Sequence, residues 1–122
     1  MLNAKNILVV EDDPILSLDL VDTIERAGGT AVGPAHTVDQ ALKLAASEAL
    51  DAAVLDVWLG SRTSFEVADR LDQRGIPYLF QTGHPQETSR RSARPVPTLE
   101  KPVAPERLLT FLVAILSETS RA

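Results

Sequence analysis

Short apolar runs alternate with longer amphipathic segments along the chain. Consecutive apolar residues at 7–10, 52–55 and 78–80 are typical of strands that are buried on both faces of a parallel sheet. The third of these runs is extended by Gln81. Weaker strands are predicted at 30–33, where Pro34 follows, and near Thr98 and Leu99. The pattern therefore predicts five strands.

Amphipathic segments fill the gaps between these strands. The second and third helices each begin with a capping-box spacing, and the third ends at Gly75. The last helix is predicted over 105–116. The residues that mark the first three helix starts are Asp13 with Pro14, Thr37 with Gln40, and Thr63 with Glu66. The residues expected to face the core are Leu16, Leu20, Val21, Ile24 and Ala27, then Val38, Ala41, Leu42 and Ala45, then Phe65, Ala68 and Leu71.

The stretch 83–97 departs from this regular alternation. It contains three prolines, three arginines and almost no large apolar residue. Because a helix without an apolar stripe gains little from packing, we expect at most a short helix at 86–92 and mobility across the stretch.

Strands that alternate with helices indicate an α/β fold, a parallel sheet with helices on both faces. In such sheets ligands bind beyond the carboxyl ends of the strands. The predicted strands end in Glu11 and Asp12, in Asp56, in Thr82, and in Lys101. The sequence therefore predicts a site where these side chains meet.

Composition narrows the classes of function. The net charge is −5, which argues against nucleic-acid binding, and the chain contains no cysteine, which excludes disulfides and thiolate metal sites. The first apolar run is too short for a signal peptide, and no stretch approaches a membrane span. We expect one cytoplasmic domain over residues 1–122, without a second domain.

The residues at the strand ends suit phosphoryl chemistry. Clustered carboxylates repel one another unless a cation joins them, and oxygen ligands without histidine or cysteine favour Mg²⁺. Asp56 is a candidate nucleophile that forms an aspartyl phosphate, whereas Asp13 is better explained as a helix cap. Thr82 and Lys101 offer a hydroxyl and a positive charge to a phosphoryl oxygen. Because tight turns accommodate cis X-Pro bonds, we also expect a cis peptide bond before Pro102.

The four strand ends together resemble the receiver domain of two-component response regulators over residues 5–117. The residues that carry the resemblance are Val9-Val10-Glu11-Asp12, Leu55-Asp56, Thr82-Gly83 and Lys101-Pro102. The resemblance implies a flavodoxin-like (βα)5 fold with strand order 2-1-3-4-5. It also implies Mg²⁺ bound by Glu11, Asp12, Asp56 and the carbonyl group of Trp58. Asp56 would be the phospho-acceptor, with Thr82 as the switch threonine and Lys101 as the phosphate-contacting lysine.

A finer resemblance concerns residues 77–84, which are similar to the Phe-Ala-Thr-Gly-Tyr motif of a stand-alone receiver subgroup. That subgroup is associated with sensor kinases of the HWE type and with a disordered fourth helix. Gln81 replaces the motif's alanine and His84 replaces its tyrosine. Thr98 stands where many receivers carry an aromatic switch residue, so we expect any switch to move 83–97 instead.

The leading interpretation is a single-domain response regulator, a signalling protein and not an enzyme. It would accept its phosphoryl group from a histidine kinase or a phosphotransfer protein and act through a protein contact or as a phosphate sink. Two alternatives stay open: a degenerate receiver that is only an interaction module, and a Mg²⁺-dependent aspartyl-phosphate hydrolase. The apolar residues at 108–116 cover more than one helix face, which fits either a thick core or a patch for a homodimer or another partner.

Overall fold

A five-stranded parallel sheet forms the centre of the computed structural model, which describes residues 1–84 and 96–120. The strands lie in the order β2-β1-β3-β6-β7. They are β1 (Asn6–Val10), β2 (Thr30–Ala35), β3 (Ala52–Asp56), β6 (Tyr78–Thr82) and β7 (Thr98–Glu100). Since β4 (Trp58–Leu59) and β5 (Arg62–Thr63) form a separate antiparallel hairpin, this order is the predicted 2-1-3-4-5 order, and the flavodoxin-like fold is confirmed.

Helices cover both faces of the sheet. The described helices are α1 (Pro14–Arg26), α2 (Val38–Ser47), α3 (Phe65–Arg74) and α4 (Pro105–Ser120). One apolar core lies between the sheet and the pair α2 and α3, and a second lies between the sheet and the pair α1 and α4. Strand residues alternate between them: Leu55 and Phe80 belong to the first core, and Val54 and Leu79 to the second. The predicted helix at 86–92 lies outside the described residues.

Helix α1 begins as predicted and turns the predicted face to the core from Leu20 onward, but its first turn differs. Asp13 Oδ1 accepts hydrogen bonds from the backbone N–H groups of Ile15 and Leu16, so its role as a cap is confirmed. The predicted inward residue Leu16 is 41% exposed, whereas Ser17 is buried. The Ser17 hydroxyl donates to the carbonyl oxygen of Pro14, which satisfies its polar group locally and allows it to be buried.

The predicted capping boxes differ from the observed helix starts. Thr37 Oγ1 accepts from the backbone N–H of Gln40, as predicted, but the Gln40 side chain accepts from the N–H of His36 instead of that of Thr37. Helix α3 is capped by Ser64, not Thr63, and the Ser64 side chain makes no cap hydrogen bond. Its hydroxyl instead donates to the backbone of β3, as described below.

The inward residues of α2 and α3 also differ in part from the prediction. Leu42 in α2 and Phe65 in α3 pack against the core as predicted but are only partly buried, while Val67, which was not predicted, is fully buried. The Phe65 ring still contacts the core, because it packs edge to face on the Phe80 ring with 5.7 Å between the ring centroids.

Among the described residues, two X-Pro peptide bonds are cis, Gly33-Pro34 and the predicted Lys101-Pro102. Strand β2 does not end at Gly33 as predicted but continues to Ala35, where it pairs with Val10 after a register shift.

Apolar residues of α4 are used mainly in the core. Leu108, Leu112 and Ile115 are buried, and the helix's other large apolar residues are partly buried against the same core, which favours the thick-core interpretation. The exposed large apolar side chains of α1, Ile15, Leu16 and Leu18, were not predicted. None of the described helices is both long and apolar enough to cross a membrane.

Candidate functional site

The register of the sheet brings the predicted strand ends to one edge. Val10 pairs with Leu55, Leu55 with Phe80, and Phe80 with Thr98. Asp56 and Thr82 are the last residues of β3 and β6, and Glu11 and Lys101 directly follow β1 and β7, so all four lie at the carboxyl ends of neighbouring strands. This edge includes the boundary between β1 and β3, where the strand order reverses, which is the usual ligand position in such folds.

Lys101 connects two acidic residues at this edge. Its Nζ lies 2.8 Å from Glu11 Oε1 and 3.0 Å from Asp56 Oδ2, so one ammonium group donates to both carboxylates. Glu11 is fully buried and Asp56 is 6% exposed. Charge-assisted hydrogen bonds of this kind compensate part of the cost of burying two carboxylates.

The buried Glu11 has further partners. Its Oε2 accepts from the backbone N–H of Asp13 at 3.2 Å, and its Oε1 accepts from Gln81 Nε2 at 3.3 Å. His36 Nδ1 lies 2.9 Å from the Glu11 carbonyl oxygen and donates to it. These contacts fix both the backbone and the carboxylate of Glu11.

Asp12 is exposed and holds the β4–β5 hairpin. Its Oδ2 accepts from the backbone N–H of Gly60 at 2.9 Å. Gly60 has a φ of 64°, a left-handed conformation that glycine adopts without strain. Trp58 lies on β4 of this hairpin with its side chain 42% exposed. The role of its carbonyl group as a metal ligand stays a prediction.

Thr82 ends β6 and is 2% exposed. Its Oγ1 accepts from the backbone N–H of His84 at 3.1 Å, and its carbonyl oxygen accepts from the N–H of Lys101 at 2.9 Å. The second contact ties the strand end that bears Lys101 to the strand end that bears the threonine.

Burial controls the electrostatics of the site. Burial, together with the neighbouring Glu11 carboxyl group, raises the pKa of Asp56 to about 7, although Lys101 opposes this shift. Burial lowers the pKa of Lys101, but its bonds to Glu11 and Asp56 outweigh that effect and raise it above the ordinary value. The lysine therefore stays charged and holds the acids together.

The donor set fits a magnesium ion. Oxygen atoms of Glu11, Asp12 and Asp56 lie within 4.8 Å of one another. Carboxylate oxygens are the ligands that Mg²⁺ prefers, and the described cluster contains no histidine or cysteine. One exposed member, Asp12, gives the cluster access to solvent. These three residues would hold the ion.

Two of the site's residues were not assigned a role from the sequence. Ser64 is fully buried, and its Oγ donates to the Asp56 carbonyl oxygen at 2.6 Å. Gln81 is 3% exposed and contacts Glu11. The sequence did contain a signal for Gln81, because it is a polar residue that directly follows the apolar residues of β6. No sequence pattern marks Ser64, because its partner is fixed by the path of the β4–β5 hairpin.

The comparisons with known proteins agree with this geometry. A family model described as response regulator receiver domain matches residues 7–113. The phyllosphere-induced regulator PhyR of Methylorubrum extorquens is 33% identical over 107 residues, which are 84% of this chain and 40% of that protein. The chain thus spans less than half the length of this relative.

Solved structures give the same result. The solution structure of the PhyR receiver domain from Erythrobacter litoralis is 27% identical with a TM-score of 0.83, and the match covers 94% of this chain and 92% of that one. A CheY-like receiver domain protein from Methanospirillum hungatei has a TM-score of 0.83 at 23% identity, covering 96% and 97% of the two chains. The latter similarity concerns the fold alone.

Proposed function

The chain belongs to the response regulator receiver domain family, and from this premise we propose that it accepts a phosphoryl group on Asp56 in a Mg²⁺-dependent reaction. The observation that carries the proposal is the joint contact of Lys101 Nζ with Glu11 Oε1 and Asp56 Oδ2. It joins a buried carboxylate, a permanent cation and an acidic cluster at the edge where ligands bind in this fold.

The proposed reaction is a single transfer. An Asp56 carboxylate oxygen attacks phosphorus, a new O–P bond forms, and the bond between phosphorus and the donor's histidine nitrogen breaks. Bound Mg²⁺ would supply positive charge that offsets the repulsion between Asp56 and the phosphoryl oxygens. Lys101 Nζ would turn to one phosphoryl oxygen, and the Thr82 hydroxyl would donate to another. Slow hydrolysis of the aspartyl phosphate would reset the protein.

The proposed phosphodonor is a sensor histidine kinase, of the HWE type by sequence resemblance, or a phosphotransfer protein. The similarity to PhyR receiver domains supports a donor of the kind that serves response regulators. We propose that the output is a protein contact that changes with phosphorylation, in the way that charge-changing modifications act on a two-state element.

The test is the intact mass of the protein after incubation with acetyl phosphate and Mg²⁺. Wild type should gain one phosphoryl group and Asp56→Asn none. Asp51→Asn is a matched control, because Asp51 precedes the same strand β3 and accepts a hydrogen bond from the backbone N–H of Asn6 at the opposite edge. The amide that replaces Asp51 keeps an oxygen for this bond, so this variant should be phosphorylated like wild type.

Other outcomes would change the proposal. If wild type gains no mass, the chain is better described as an interaction module that keeps the family's acidic site. Steady release of phosphate from a small phosphoester, at many turnovers per protein, would instead indicate an aspartyl-phosphate hydrolase.

A further inference from the structure

Gln81 is a buried amide in the candidate site that the proposed transfer does not use. It lies on β6 directly opposite Asp56 of β3, and its side chain is 3% exposed. It shares the α1 and α4 face of the sheet with Leu79, two residues earlier. Burying an amide is unfavourable unless it is hydrogen-bonded. Its bond from Nε2 to Glu11 Oε1 therefore gives it a defined place in the site.

Glu11 Oε1 accepts from two donors of unequal strength. Lys101 Nζ donates at 2.8 Å and carries a full charge, whereas Gln81 Nε2 is neutral and donates at 3.3 Å. The longer distance shows that the lysine is the dominant partner in this arrangement. Gln81 is already within reach of the same oxygen.

The proposed transfer takes Lys101 away from Glu11. When Lys101 Nζ turns to a phosphoryl oxygen, Oε1 of a fully buried carboxylate loses its stronger donor. A buried charged acceptor that loses its charged donor is less well stabilised, so this loss would oppose the movement of the lysine. Among the described residues, Gln81 is the other side chain that donates to this oxygen.

We propose that Gln81 is a positioning residue that holds Glu11 when Lys101 leaves it for the phosphoryl group. This role rests on the proposed phosphoryl transfer. A neutral amide suits it, because it donates to Glu11 without competing as a second cation for Asp56. Gln81 thereby keeps the Glu11 carboxylate, one of the three groups that would hold the ion, in place, as hydrogen-bonding partners of metal ligands do.

A double-mutant cycle in Mg²⁺-free buffer tests the exchange of partners. The four proteins are wild type, Gln81→Met, Lys101→Met and the double variant, and urea unfolding gives the folding equilibrium constant of each. If Gln81 takes over from Lys101, Gln81→Met should lower this constant about tenfold more in the Lys101→Met background than in wild type. Additive effects, within about twofold, would overturn the proposal.

The phosphorylation rate provides a readout that a purely structural role would not change. At saturating Mg²⁺, and well below the unfolding temperature, Gln81→Met should be phosphorylated about tenfold more slowly than wild type, since the lysine is held more tightly by Glu11. Gln73→Met is the control, because Gln73 is exposed on α3. A rate equal to that of wild type would overturn this role alone. A wild type that accepts no phosphoryl group would overturn the proposed function as well.

Discussion

Ser64 fixes the backbone of the proposed phospho-acceptor, and its removal should be measurable. The Ser64→Ala substitution deletes a hydroxyl that donates to the Asp56 carbonyl oxygen at 2.6 Å. The side chain is fully buried, so water cannot replace the lost donor without a rearrangement. The backbone N–H of Ser64 also donates to the Val57 carbonyl oxygen. Because Val57 precedes the β4–β5 hairpin and Ser64 follows it, this bond joins the two ends of the hairpin.

The magnitude follows from burial. Leaving a buried acceptor without its donor costs about 1–3 kcal/mol. A chain of 122 residues has an unfolding entropy of about 0.26 kcal/mol/K near its midpoint, at about 2.1 cal/mol/K per residue. The Ser64→Ala substitution should therefore lower the thermal midpoint by about 4–12 °C. Helix capping adds nothing to this figure, since the Ser64 side chain makes no cap hydrogen bond.

The assay is thermal unfolding followed by circular dichroism, with Ser47→Ala as the matched control. Ser47 Oγ also donates to a backbone carbonyl oxygen, that of Lys43 at 2.8 Å, but it is exposed on α2. Water can replace that bond, so the control should change stability by less than about 0.5 kcal/mol. If both variants shift the midpoint by the same small amount, the argument that the buried bond fixes the Asp56 backbone is refuted.

Two further predictions concern the elements that carry the site. Asp13→Ala should lower the free energy of unfolding in urea by about 1 kcal/mol, because Asp13 caps α1. The same variant should bind Mg²⁺ with unchanged affinity when binding is followed by the fluorescence of the half-exposed Trp58. A large loss of affinity would mean that Asp13 is a metal ligand. Gly33→Ala should destabilise more than Gly28→Ala in the same assay. Both glycines have a positive φ, which costs a residue with a side chain about 1–2 kcal/mol, but only at Gly33 would the added Cβ lie 2.8 Å from a backbone nitrogen. Equal effects would show that the close contact relaxes without cost.

The location of the candidate site was predictable because its residues lie at strand ends. An apolar run followed by a polar residue marks where a buried strand emerges, and parallel strands emerge at one edge. Glu11, Asp56, Thr82 and Lys101 could therefore be brought together without knowing any distance. The capping role of Asp13 was equally predictable, since it depends only on the next three residues.

Helix faces were less predictable, because a pattern does not determine how a helix is rotated against a sheet. The α1 stripe predicted Leu16 at the start of the inward face, whereas in the structure Ser17 is buried and Leu16 is 41% exposed. The Thr63 capping box failed for a related reason. Thr63 is the last residue of the β4–β5 hairpin, so the N-cap position of α3 falls one residue later, on Ser64.

The sequence by itself determined the order of the five sheet strands, the α/β class and the identity of the acids and the lysine at the sheet edge, but it did not predict the β4–β5 hairpin. Only the tertiary structure decided which atoms pair there. The Lys101 bonds to Glu11 and Asp56 span 90 and 45 residues, and the Gln81 bond to Glu11 spans 70. Such pairings depend on strand register and on burial. Local patterns specify neither, since they record only which residues avoid water and not which partners they meet.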